Sequence, residues 1–121
     1  MDLTEYDEEF WQGLEKLVAE SRIIIDRPKG SAHPRYPDTV YPLDYGYLDG
    51  TSSMDGNGID VWQGSESHKS IDAVICILDT FKKDSEIKIL YGCSEEEKEI
   101  IYNFHNDDRM KALMIRRAFI I

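Results

Sequence analysis

Two aspartates and an asparagine, Asp55, Asn57 and Asp60, fall within the six residues DGNGID, just downstream of the aromatic run YPLDYGYL. Carboxylate and amide oxygens are hard donors, and a turn that carries them supplies part of the octahedron of a magnesium ion that keeps its other waters. The nearest generic competitor is a calcium loop of the EF-hand type. It fails, because its fifth position wants an oxygen ligand and its sixth a glycine, where this chain has Ile59 and Asp60. The same residues also read as plain turn formers, since Asp-Gly is among the strongest reversal signals and Asn and Asp side chains bond readily to nearby backbone.

Other groups bear on that choice. Lys29, His33 and Arg35 gather in the proline-rich loop KGSAHPRYPDTVYP of an otherwise acidic chain, a basic group suited to facing an anion or solvent. Asp79, Asp84, Glu86 and Lys88 surround a strand-turn-strand segment, where facing carboxylates and a lysine either close a metal-phosphate site or form a charged hairpin tip. Tyr45 and Tyr47 share a strand face by alternation, with Tyr41 nearby, and such tyrosines pack while their hydroxyls seek partners. His33 and His105 have no companion at ligand spacing, so neither reads as a metal ligand. The chain has no Walker-type glycine loop and no GxSxG elbow.

The elements that must position these residues follow from periodicity. Residues 4–20 carry Phe10, Leu14, Leu17 and Val18 at helical spacing, with Trp11 beside them and acidic residues opposite, which predicts an N-terminal amphipathic helix. SRIIIDRP predicts a short buried strand that stops at Pro28 and leaves Asp26 at its exit. LDYGYL, GIDVW, IDAVICILD and EIKILYG predict further strands, a series typical of a small barrel or sandwich. Ser94 followed by Glu95, Glu96 and Glu97 is a capping box, and Ile100, Ile101 and Phe104 form the expected buried stripe of its helix. A second helical stretch is expected from near Asp107 or Asp108 to Arg116 and Arg117, whose charges suit a helix C-terminus. The order predicts an α+β chain on a compact β unit.

Length and charge bound the function. A chain of 121 residues with 41% hydrophobic residues fits one domain, comprising an N-terminal helix (1–21), a β part (22–92) and a helical C-terminal part (93–118). A formal net charge of −10 opposes a nucleic-acid partner, whose phosphates demand a basic face. No stretch approaches the roughly 20 apolar residues of a membrane span, and the acidic start MDLTEYDEEF lacks the basic opening of a secretory signal, which predicts a cytoplasmic protein without membrane contact. Cys76 and Cys93 have no metal spacing and read as free thiols.

The run YPLDYGYLDGTSSMDGNGIDVW resembles the signature region of soluble inorganic pyrophosphatases, a magnesium-dependent family in which Tyr-Pro-x-Asn-Tyr-Gly-Tyr precedes Asp-Gly-Asp-Pro-x-Asp. IIIDRPKGSAHPRY resembles the same family's entry strand, and the resemblance spans residues 22 to about 106 of what looks like a reduced member. It implies a small OB-like five-stranded β-barrel with an N-terminal helix and C-terminal helices. It implies Mg2+ as cofactor, with Asp55, Asp60 and Asp79 as metal ligands. Tyr45 falls on a tyrosine lining the active site, Asp26 on an active-site glutamate, and Arg35 on a phosphate-contacting lysine, while Glu86 and Lys88 resemble an acidic-x-Lys element. The implied activity is magnesium-dependent hydrolysis of inorganic pyrophosphate, or of a small diphosphate, to phosphate. Asp26, Asp60 and Tyr45 would be catalytic, and Lys29, Arg35 and Lys88 substrate-binding.

The departures from the pattern point to an alternative. Asn57 stands where the family has the aspartate that takes the proton of the nucleophilic water, which an amide cannot do. Gly58 replaces a proline, a hairpin carrying a phosphate-binding arginine is missing between Asp38 and Tyr41, and a Tyr-Lys pair is replaced around Asp107 and Asp108. Such losses suit a non-catalytic module that binds a metal-phosphate metabolite. A third reading is a structural protein whose acidic N-terminal helix and apolar end AFII make subunit contacts, and a homo-oligomer is compatible with all three.

Overall fold

Alternation of apolar and polar residues generates the sheet, and each helix covers one of its faces. The computed structural model describes residues 4–118. In chain order the elements are α1 (Thr4–Ala19), β1 (Ile23–Arg27), β2 (Asp44–Leu48), β3 (Asp60–Gln63), β4 (Ala73–Asp79), β5 (Asp84–Tyr91), α2 (Glu95–Phe104) and β6 (Met110–Arg116). They form one six-stranded sheet of order β1-β2-β3-β5-β4-β6, antiparallel throughout except where β3 runs parallel to β5. β1 and β6 lie at opposite ends, so the sheet is open and the expected closed five-stranded barrel is corrected.

Successive residues of a strand point to opposite faces, which splits the core in two. Val61, Val74 and Ile89 point toward Trp11, Val18 and Leu48 under α1. Trp62, Ala73, Ile75 and Leu90 point the other way, toward Ile101 of α2 and the loop residues Tyr41 and Leu43. β4, flanked by β5 and β6, is buried on both faces over Ala73–Ile75, hence its unbroken apolar run. Gly46 allows β1 to pass close to β2, because a Cβ there would lie 1.8 Å from the Ile24 carbonyl oxygen.

Three expectations are corrected at this level. Residues 110–116 form the edge strand β6 instead of a helix. Asp107 makes a turn, its Oδ1 accepting from Arg109 N at 2.8 Å and Met110 N at 2.6 Å, and the returning chain pairs along the full length of β4. Ala112 points inward and Lys111 and Leu113 outward, a two-residue period that the segment ALMI obscures. In α1 it is Trp11, 4% exposed, that docks on the sheet, while Phe10 is 47% exposed. In α2 Ile101 is buried and Ile100 is 44% exposed. The α2 capping box is present as expected, with Glu97 N donating to Ser94 Oγ and Ser94 N donating to Glu97 Oε1. Both cysteines are free. Among the described residues no helix is long and apolar enough to cross a membrane. Beyond Ala118, the apolar end lies outside the described residues.

Candidate functional site: a charged cleft with an aromatic floor

On the α2 side of the sheet a cleft of about 1000 Å³ opens between the loop of residues 33–41, the turn at Asp55, the β4–β5 hairpin and the α2–β6 turn. Tyr45, Trp62 and Phe104 are part of its floor, with Tyr45 and Trp62 ring centroids 4.7 Å apart, edge to face. Rings packed edge to face in this way hold the polar groups they carry in fixed places.

The cluster at the centre is built by three neighbouring strands. Tyr45 on β2, Asp60 at the start of β3 and Glu86 and Lys88 on β5 converge because β2 pairs with β3 and β3 with β5. The Lys88 ammonium lies 2.8 Å from Asp60 Oδ2 and 2.8 Å from Glu86 Oε1, and it also donates to the Tyr45 hydroxyl. Tyr45 in turn donates to Asp60 Oδ2 at 2.6 Å. Burial, then the charge of Asp60 and its hydrogen bond, raise the Tyr45 phenol well above its ordinary pKa, so it stays a hydrogen-bond donor. The Lys88 side chain is only 6% exposed, and a buried ammonium is tolerable because carboxylates surround it.

The turn around Asp55 is closed on itself. Asp55 Oδ1 accepts from Ser53 Oγ at 2.7 Å and Asn57 N at 2.9 Å, and Gly56 adopts a φ of 83°, which favours glycine. Those hydrogen bonds, Ser53 first, hold the Asp55 carboxyl below its usual range. Asp79 plays the same part in the β4–β5 hairpin, its Oδ1 accepting from Phe81 N at 3.0 Å and Lys82 N at 2.9 Å. Arg109 Nε lies 3.3 Å from Asp79 Oδ2 as an ion pair, and its N–H has no hydrogen-bond acceptor among the described residues.

The expected site residues therefore divide. Tyr45, Asp55, Asp60, Asp79 and Lys88 line the cleft; Asp26, Lys29 and Arg35 are not among its lining residues. Asp26 is exposed at a register irregularity of β1, 3.7 Å from Arg27. Lys29 gives its backbone N–H to Asp44 Oδ1 at 2.9 Å, and Arg35 gives its own to His33 Nδ1 at 3.0 Å, so both serve the shape of the loop. Two further lining residues, His105 and Arg109, flank the α2–β6 turn; sequence reasoning set His105 aside as a non-metal residue and did not single out Arg109. No local spacing marks them, because only the return of β6 along β4 turns that segment toward the cleft.

The carboxylates do not form a metal site by themselves. Among the described residues no three His, Cys, Asp or Glu side chains are grouped to hold a metal ion. Asp60 Oδ2 is taken by Tyr45 and Lys88, and Asp55 and Asp79 each use an oxygen on their own turns. A resident Mg2+ on Asp55, Asp60 and Asp79 does not fit this donor set. The cleft also carries cationic groups, Lys82, Lys88 and Arg109, but its eight carboxylates outnumber them, so the lining suits an anion only when a cation accompanies it.

The fold has relatives among solved structures. It matches an inorganic pyrophosphatase from Neisseria gonorrhoeae with a TM-score of 0.59, covering 74% of this chain and 77% of that one at 16% identity. It matches Helicobacter pylori inorganic pyrophosphatase with a TM-score of 0.56, over 83% and 85% at 15% identity. An inorganic phosphatase from Anaplasma phagocytophilum matches with a TM-score of 0.53, over 78% and 81% at 14% identity. At these identities the likeness is one of fold. No protein-family model matches the chain, and no curated protein matches it in sequence.

Proposed function

We propose that the cleft binds inorganic pyrophosphate, or another small diphosphate, and hydrolyses it to phosphate. The observation that carries this reading is the convergence of Tyr45, Asp60 and Lys88. The pyrophosphatase-like signature and its downstream element name these three, and they meet in one hydrogen-bonded cluster although 43 residues separate the first from the last. The pyrophosphatase-like fold supports it.

Magnesium belongs to the substrate in this reading, entering as the diphosphate complex, where it draws charge from the phosphoryl oxygens. The chain's own residues do the rest. Lys88, with Lys82 and Arg109, neutralises the charge that builds on the oxygen released as the bridging P–O bond breaks. Asp60 takes the proton of the attacking water, the task Asn57 cannot perform. Tyr45, its one O–H given to Asp60 Oδ2 and its oxygen accepting from Lys88, holds both groups in place. The test is phosphate release from magnesium pyrophosphate, with Asp60→Asn beside the parent. Parent turnover that falls about 100-fold or more in the variant supports hydrolysis.

A second reading is a binding module without turnover, favoured by Asn57 and by the exposed position of Asp26 outside the cleft. It is supported if the parent releases no phosphate while magnesium pyrophosphate raises its melting temperature. With neither turnover nor stabilisation, both readings fail.

A further inference from the structure

We propose that His105 is a ligand-binding residue, whose ring Nδ1–H donates to a phosphoryl oxygen of the diphosphate bound in the cleft. The inference deepens the proposed function and rests on it. His105 is 4% exposed and lines the cleft, and its Nδ1, closed off from solvent in the ligand-free protein, has no hydrogen-bond partner among the described residues. Buried side-chain polar atoms are nearly always partnered, so an orphan beside a cleft asks for an acceptor supplied from outside the chain.

The identity of the orphan atom follows from its neighbour. Indole N–H is a donor only, and Trp62 Nε1 lies 3.1 Å from His105 Nε2, so Nε2 must be the bare, accepting nitrogen. A neutral ring then carries its one hydrogen on Nδ1. The ring is neutral, because burial, and next the charge of Lys88, push its pKa down to about 3. Asp107, the acid that opposes this, has Oδ1 committed to the backbone of Arg109 and Met110. The donor is also held still. His105 closes α2 with its backbone N–H on Ile101 O at 3.1 Å, and its ring meets Trp62 and Phe104 edge to face at 5.6 and 5.1 Å. A fixed neutral donor beside the Lys88 ammonium suits a phosphate oxygen, and it costs no extra charge burial.

Two conservative replacements separate this role from a purely structural one. An asparagine amide reaches the place of Nδ1 and a glutamine amide that of Nε2. His105→Asn keeps a donor at the place of Nδ1 and leaves Trp62 N–H without its acceptor. His105→Gln keeps the acceptor for Trp62 and removes the donor. The probe is methylenediphosphonate with magnesium, which cannot be hydrolysed, titrated by calorimetry beside melting temperatures. The proposal expects the Asn variant to melt lower yet bind within about threefold of the parent, and the Gln variant to melt like the parent yet bind about tenfold more weakly. Parent-like binding by the Gln variant overturns it, as do affinities that fall in both variants in step with their melting temperatures. A parent that does not bind methylenediphosphonate removes the proposed function, and this inference with it.

Discussion

Lys88 and Lys98 are near twins in their immediate chemistry and opposites in what surrounds them. Each ammonium sits between two carboxylates, Asp60 and Glu86 at 2.8 Å for Lys88, Asp72 and Glu95 at 2.9 Å for Lys98, with side chains 6% and 4% exposed. Lys98 joins a loop to a helix, parts that no strand ladder holds together. It ties the loop before β4 to the first turn of α2, and Glu95 goes on to Arg116 at the end of β6 at 2.7 Å. Lys88 joins β2, β3 and β5, which ladder hydrogen bonds already hold in register. The fold has little need of it there. A buried ion pair is therefore not by itself a sign of function; one that duplicates existing structure and opens on a cleft is the stronger sign.

Replacing each lysine by methionine, which keeps the stem and removes the charge, sharpens that comparison. The largest effect is expected on catalysis: Lys88→Met lowers phosphate release about 100-fold or more, while Lys98→Met leaves the rate of the folded protein unchanged. Equal losses, corrected for the folded fraction, would break the distinction. The next effect is on stability. Lys88→Met strands Asp60 and Glu86 and Lys98→Met strands Asp72, and each variant should lose about 1–3 kcal/mol, read as a shift in denaturant midpoint. Magnesium alone should then separate them. Asp60 and Glu86, 23% and 29% exposed, face the cleft together with the Tyr45 hydroxyl once the ammonium is gone, so added magnesium raises the melting temperature of Lys88→Met. Glu95, 72% exposed, turns to Arg116 and bulk water, and Lys98→Met should not respond. Identical magnesium responses would mean that the cleft offers nothing special to a cation.

The same contrast explains what was legible in the sequence. The first five strands were readable because short apolar runs or alternation are bounded in them by turn residues, and Tyr45, Asp60 and Lys88 were named because a contiguous signature and one strand carry them. β6 was not, since Met110–Arg116 has too few polar residues to display its period and its partner β4 lies more than thirty residues upstream. Phe10 and Trp11 are adjacent, and a few tens of degrees of helix rotation decide which is buried. Lys29 and Arg35 stand in the basic loop and Asp26 at the exit of β1, where it matched an active-site glutamate of the resembled family; none of the three lines the cleft. His105 carried no signal at all. Its significance depends on an indole 43 residues away that takes up one ring nitrogen and leaves the other unpartnered.

Glu97 gives the smallest of the expected effects and the cleanest sign. It is a third buried charge, 9% exposed, and like Lys98 it staples α2 to a loop: its carboxylate accepts from Ser94 N at 2.8 Å and from Ser65 N at 3.1 Å. Burial pushes its pKa up, but the Ser94 and Ser65 donors outweigh this and leave it below the ordinary 4.5. A depressed folded-state pKa means that the unfolded chain takes up the proton first. The stability Glu97 adds is then fully present above pH 4.5 and is lost as pH falls below that value through the folded pKa. Glu97→Gln keeps an acceptor but no charge, and should cost about 1 kcal/mol at neutral pH. Denaturant midpoints of both proteins between neutral pH and the acid range test this: the gap should close in acid. A gap that stays constant would assign the contribution of Glu97 to packing against Gly64, where its Oε1 lies 2.7 Å from the position of an added Cβ, and not to its charge. Because Glu97 does not line the cleft, phosphate release at neutral pH should be the same in both proteins.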